Sequence, residues 1–423
     1  MSIEKDIIKS VIISQNEHRL SVRLIDRDKL SEIENAFDTP FIQIVSGIRR
    51  CGKSTIIQQI RQINKDSNYF INFDDNRLCN FEIGDFEKLN EAFLELFGEE
   101  NTYYFDEIQN IKGWEKYVRR LYNEGKKIFV TGSNAVMLSK EFGTHLTGRN
   151  IQTELFPFSF KEFLRWKKIE VQKNDFHSPI KVSKIKNAFS EYLRIGGLPE
   201  FIQTSNPIFL KNLYNDILYR DVIARYNIRN EKTLIELLHF LISNISKEIS
   251  YTSLKKILGL SNAITVKEYI NYFEQSYLLF TINKFDYSLK KQLVNPKKIY
   301  AVDTGLANSI SFKFSDNQGR QLENAVFLQL KRNDCEIFYH RGKYECDFLV
   351  REKDKITNAI QVCQTLFDEK TRERELRGLV EAMQEYNLKK AIILTAEEKE
   401  TITIDNLSIN VVPIWQWMLN QET

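Results

Sequence analysis

"GIRRCGKST", residues 47–55, lies between the apolar run "FIQIVS" (41–46) and the helix-like "TIIQQIRQI" (55–63). Gly47, Gly52, Lys53 and Ser54 satisfy the spacing G-x-x-x-x-G-K-[ST]. In that pattern the glycines let backbone N–H groups wrap phosphates, the lysine reaches the β and γ groups, and the hydroxyl ligates magnesium. A strand before the loop and a helix after it are the required context. The expected nucleotide-binding set is Gly47, Arg49, Arg50, Gly52, Lys53, Ser54 and Thr55, with a nucleotide and Mg2+ as ligands.

Working outward, "NYFINFDD" (68–75), "TYYFDEIQ" (102–109) and "KKIFVTGSN" (126–134) repeat the rhythm of an apolar run ending in polar residues beside a helical stretch. That alternation predicts parallel strands with crossover helices and chemistry along the carboxyl edge of the sheet. Asp106 and Glu107 close one such strand. Asp106 is expected to support the magnesium, and Glu107 to polarise the attacking water. Asn134, with Thr131 and Ser133, suits contact with the γ-phosphate if its strand lies between the loop strand and the acidic strand. Arg149 in "HLTGRN" is the candidate arginine finger, in its own subunit or a neighbour's.

After "TELFPFSFKEFLRW" (153–166) the alternation stops, and residues 187–230 read as helices interrupted by "RIGGLP" (194–199). From Glu231 the order is helix, short helix, turn, longer helix and two strand-like runs, the layout of a winged helix. Its DNA-contact set is thin: Lys267, with Lys290, Lys291, Lys297 and Lys298 around the wing. The tail from about Arg320 reads as a further α/β domain.

"GIRRCGKST", "YYFDEIQNIKGWE" (103–115), "TGSNA" (131–135), "LTGRNIQTELFPFSFKEF" (146–163) and "YLRIGGLPEF" (192–201) together resemble a family of bacterial and archaeal AAA-like ATPases. The resemblance implies a parallel P-loop NTPase sheet of the additional-strand class, followed by a helical and winged-helix region and a C-terminal α/β domain. It also implies ATP rather than GTP. The corresponding segments are 1–165 for the core with its N-terminal extension, 166–230 for a helical linker, 231–310 for the winged helix and 311–423 for the last domain.

That last domain resembles the PD-(D/E)XK nuclease fold: "GRQLENAVFLQL" (319–330) carries Glu323, "YECDFLV" (344–350) carries Asp347, and "AIQVC" (359–363) stands at the third motif. Gln361 replaces the second acid and Cys363 the lysine, and a neutral thiol supplies no positive charge. The expectation is a vestigial site rather than an intact nuclease.

Hydrophobic residues make up 42% and charged residues 28% of the 423, and no run approaches the roughly 20 apolar residues of a spanning helix. The N-terminus lacks a signal-peptide pattern, so the expectation is a cytoplasmic protein with no membrane role. Five cysteines without C-x-x-C spacing argue against a zinc knuckle or a disulfide framework. A net charge of +3 decides nothing about nucleic acid, so DNA, a protein partner and a homo-oligomer all stay open. So do three readings: a coupled ATPase, a slow nucleotide-gated switch and an ATP-dependent nuclease.

Overall fold

The computed structural model describes residues 3–17, 25–37, 39–133, 148–311 and 318–419. The chain divides into two compact units: Met1–Phe156 with Gln275–Tyr277, and Pro157–Glu274 with Leu278–Thr423.

In the first unit, strands β1 (Ile42–Ser46), β2 (Phe70–Asn72), β3 (Thr102–Asp106), β4 (Lys127–Gly132) and β5 (Asn150–Glu154) form a sheet of order β2-β3-β4-β1-β5. Every pairing is parallel. β1 and β3 are buried along their whole length, as their near-continuous apolar runs require. β4 lies between the loop strand and the acidic strand, which defines the additional-strand P-loop NTPase class. The helices Phe86–Phe97 and Trp114–Asn123 cover one face through an aromatic core in which Phe86 stacks on Tyr117 at 4.2 Å. Ile8, Val11 and Ile12, on one face of the helix Lys5–Glu17, enter the same core.

β5 was not legible as a strand, because four of the five residues of its run "NIQTE" are polar. It pairs from Ile42↔Asn150 to Ser46↔Glu154, which puts its start at the amino end of β1.

The second unit opens with helices, among them Pro179–Ile195, Pro199–Thr204 and Pro207–Asp216, each with proline in its first turn. Its sheet contains β6 (Glu248–Ile249), β7 (Leu279–Lys284), β8 (Lys297–Ala301), β9 (Glu336–Arg341), β10 (Glu345–Glu352), β11 (Lys355–Val362), β12 (Lys390–Thr395), β13 (Glu400–Ile404) and β14 (Leu407–Pro413). The order is β13-β14-β12-β11-β10-β9-β7-β8-β6, with parallel and antiparallel neighbours. The two strands expected of a wing, β7 and β8, thus share one sheet with the strands of the tail.

"RIGGLP" has a packing reason. A Cβ on Gly196 would lie 2.2 Å from Asp303 Oδ1, and one on Gly305 would lie 1.9 Å from the Ile195 carbonyl. The backbones approach this closely because the buried Asp303 carboxylate accepts N–H bonds from Gly197 (2.6 Å) and Leu306 (2.8 Å).

Candidate functional site

The loop after β1 turns into the helix Lys53–Ile63, whose first amides face the loop. Two glycines are required by space and by backbone. A Cβ on Gly47 would lie 2.1 Å from the Leu155 carbonyl oxygen, and Gly52 adopts φ +103° with an arginine Nη1 only 2.9 Å from its hypothetical Cβ.

That arginine is Arg27, which no motif announces. It is buried, and it donates from Nη1 to the Cys51 carbonyl (2.8 Å) and from Nη2 to the Phe156 carbonyl (2.6 Å). The guanidinium therefore clasps the loop backbone to the segment after β5.

Lys53 is 3% exposed and donates to the carbonyls of Gly47 (3.2 Å) and Ile48 (3.1 Å). Its Nζ lies 3.4 Å from Glu107 Oε1. Burial pulls the ammonium down, but Glu107 above all, with Cys51 and Asp106, outweighs it and holds the group above its ordinary value. On Glu107, burial works upward, yet Lys53, the Gln109 amide and Arg49 win and keep the carboxyl below its usual range.

Asp106 is fully buried. Thr131 Oγ1 donates to its Oδ1 at 2.5 Å, Ser54 also hydrogen-bonds the carboxyl, and Oδ2 has no partner. Burial and the neighbouring Glu107 push its pKa up to about 6. Thr131 is the hinge of the pair, for its oxygen also accepts the Glu107 backbone N–H at 2.9 Å. Gln109 Nε2 donates to Glu107 Oε2 at 2.5 Å and to Ser133 Oγ at 3.4 Å. Glu107 itself sits at φ +51°, a left-handed conformation uncommon for a glutamate. At the end of β1, Ser46 Oγ accepts from Gln152 (2.9 Å) and from Tyr277 (2.8 Å), the latter in the tripeptide that belongs to this unit.

The structure thus brings Gly47, Gly52, Lys53, Ser54, Asp106 and Glu107 together. Thr55 lies in the first turn of the helix. Arg49 reaches Asp74 at 3.9 Å and acts on Glu107 through its charge, while Arg50 is exposed at φ +67°. Asn134 lies outside the described residues.

Arg149 stands at the other end of β1 from the loop. Its carbonyl accepts from Ile42 N at the amino end of β1, and its guanidinium stands over the Tyr122 ring (5.4 Å) and bonds Asn123 (3.3 Å). The five residues of β1 separate it from the loop, roughly 16 Å of strand. The side chain does not reach the phosphate loop of its own chain.

The second unit brings Glu323, Asp347 and Gln361 together, with a residue that the sequence had placed on the wing. Lys298 Nζ lies 2.8 Å from Asp347 Oδ1, 3.0 Å from Glu323 Oε1 and 2.6 Å from Glu345 Oε1. Gln361 Nε2 donates to Glu375, its Oε1 accepts the Asp347 N–H (3.2 Å), and Cys363 is buried with its thiol pushed up to about 12, chiefly by burial. Burial, and then Asp347, raises Glu323 to about 8. Lys297 and Lys298 are both buried, so neither offers its charge to a phosphate backbone; Lys267, Lys290 and Lys291 are exposed.

A P-loop NTPase core is the class defined by the first unit, and residues 39–164 match the family profile described as an AAA domain. Residues 186–317 match a domain of unknown function (DUF8612). The uncharacterized protein MJ1544 of Methanocaldococcus jannaschii is 36% identical over 438 residues, which span 98% of this chain and 96% of that protein. The chain belongs to the same family as this archaeal protein. An uncharacterized protein of Haemophilus influenzae is 28% identical over 423 residues, 95% of this chain and 100% of its own. AMPPCP-bound DnaA from Aquifex aeolicus overlaps at 14% identity and a TM-score of 0.24, covering 58% of this chain and 85% of that one. The family assignment stands on the sequence matches alone. Among the described residues no helix is long and apolar enough to cross a membrane.

Proposed function

We propose that the chain binds ATP and hydrolyses it, and that its cycle acts on a DNA or protein partner through the second unit. The observation that carries this reading is the convergence of Lys53, Asp106 and Glu107 at the carboxyl edge of the parallel sheet.

In this reading the loop amides and Lys53 hold the β and γ phosphates, with Arg49 and Arg50 flanking them. Mg2+ would be held by Ser54 and Asp106 and would neutralise phosphate charge; the buried, partnerless Asp106 Oδ2 fits that task. Glu107 orients and deprotonates the attacking water. Its partners argue for a gate: the carboxylate that must meet water is engaged by Lys53 and Gln109. Phosphate arriving at Lys53 competes for the ammonium and loosens that hold. This engagement favours, as a second reading, a slow nucleotide-gated switch.

Arg149 fits a finger role only toward a neighbouring copy, which would make the ATPase a homo-oligomer. For the partner-facing unit, the order helix, β6, helix, helix, β7, β8, with β8 paired to both β6 and β7, supports a winged-helix reading. An ATP-dependent nuclease is not proposed, because Lys298 fills the carboxylate cluster.

The deciding experiment is steady-state phosphate release with and without duplex DNA, with Lys53→Ala as the control. Turnover in the wild type that is lost in the variant supports an ATPase. DNA affinity that differs between ATP and ADP states, with negligible turnover, favours the switch. Equal phosphate release in both proteins rejects the assignment.

A further inference from the structure

The Lys298 ammonium donates to Asp347 Oδ1 (2.8 Å) and Glu323 Oε1 (3.0 Å) and forms an ion pair with Glu345 Oε1 at 2.6 Å. Other donors meet the same carboxylates. Asp347 Oδ2 accepts from Val362 N (2.9 Å), and Glu323 Oε1 accepts from Tyr300 (2.7 Å) as well as from the lysine. Lys298 is 1% exposed. The contrast with the nucleotide site is direct, for there the buried Asp106 keeps an oxygen with no partner, whereas no fully buried atom of this cluster is left orphaned.

Carboxylates converging on one point from a helix and a strand are the donor set of a hard divalent cation. Here they converge on a cation the chain supplies. The spacings suit an ammonium rather than magnesium, whose bonds to oxygen are about 2.1 Å. A hydrated ion entering the cluster would have to displace two charge-assisted hydrogen bonds and a further ion pair, and leave an ammonium buried without a partner. Nor does Lys298 stand free to polarise water, since the ammonium is buried and held among three carboxylates.

We propose that Lys298 is a permanent internal cation occupying the metal position of the Glu323–Asp347–Glu345 cluster, so that this unit works without a divalent metal and cleaves no phosphodiester. The cluster is a latent divalent-cation site that removal of Lys298 uncovers.

The test is Mn2+ titration of the full chain without nucleotide, following the free Mn2+ signal by electron paramagnetic resonance. Wild type and Asp347→Asn are expected to bind the same amount. Lys298→Ala is expected to gain one Mn2+ per chain, and the double variant Lys298→Ala/Asp347→Asn to lose it again. The gain should be roughly tenfold or more in affinity, as carboxylate charge tunes hard-cation sites over decades. Mn2+ binding by wild type that Asp347→Asn abolishes overturns the proposal, as does a folded Lys298→Ala with no added site. Metal-dependent nicking of supercoiled DNA that needs both Lys298 and Asp347 also overturns it, since the lysine would then be catalytic. Should Lys298→Ala fail to fold, the wild-type and Asp347→Asn arms still decide.

Discussion

Glu107 Oε1 lies 3.4 Å from Lys53 Nζ, so the two charges proposed to meet water and phosphate hold one another. Both are nearly buried, and each shifts the other toward its charged form. A buried pair of this kind is costly to break by removing one partner and cheap to exchange for a better one. A nucleotide phosphate offers Lys53 that exchange.

Glu107→Gln keeps the shape and removes the base. Turnover is expected to fall about 10²- to 10⁴-fold, the usual contribution of a general base, while nucleotide affinity stays within a few-fold. Phosphate release and titration with a fluorescent ATP analogue check the two halves separately. Wild-type turnover in the variant would remove Glu107 from the chemistry.

Arg27→Met strips the clasp from Cys51 and Phe156 and leaves two buried carbonyls without their donor. Each such loss costs about 1–3 kcal/mol, so a lower unfolding midpoint is expected together with weaker nucleotide binding. Arg27→Lys, which offers one ammonium for two separated carbonyls, should fall between. If Arg27→Met binds nucleotide as tightly as wild type, the clasp does not position the loop.

What the sequence disclosed and what it hid divide by distance along the chain. The loop, Asp106 and Glu107 were readable because their chemistry is local: glycine spacing before a helix, acids at the end of an apolar strand. Arg27 acts on a carbonyl 24 residues away and another 129 away, and nothing in its neighbourhood marks it. Lys298 was read as a wing charge because β8 carries it; only the pairing of that strand and the fold of the helix Gln318–Arg332 turn it inward to Glu323. Arg149 sat at the right place in a motif but at the wrong edge of the sheet, since that edge depends on the register of β5 against β1.

Gly305→Ala tests the close approach that "RIGGLP" serves. The added Cβ would meet the Ile195 carbonyl at 1.9 Å, and backbone cannot yield as a flexible side chain does. A destabilisation of about 1–3 kcal/mol is expected, as for other overpacked sites, read by chemical denaturation of the full chain. An unchanged midpoint would show that the two segments do not need this contact.

The pH dependence of stability should report the Lys298 cluster. Burial and Asp347 raise Glu323 to about 8, against opposing effects of Lys298 and Tyr300. In the unfolded chain a glutamate ionises near its ordinary value of about 4.3. The folded protein therefore holds a proton that the unfolded chain has lost, and stability falls as pH rises through that window. The contribution is fully present below the unfolded value and gone once pH passes the folded one, with a slope of order 1 kcal/mol per pH unit while Glu323 stays protonated. Asp106, raised to about 6, works in the same direction but has finished by neutral pH. Lys298, held well above its ordinary value by Asp347 and Glu323 against burial, acts only at strongly alkaline pH. Between pH 7 and 9 the buried cysteines, also raised, act in the same direction, so it is the difference between wild type and Glu323→Gln that isolates Glu323. Wild type is expected to lose thermal stability across that interval more steeply than Glu323→Gln, whose amide is neutral throughout. Parallel slopes for the two proteins would mean that Glu323 is already ionised at pH 7.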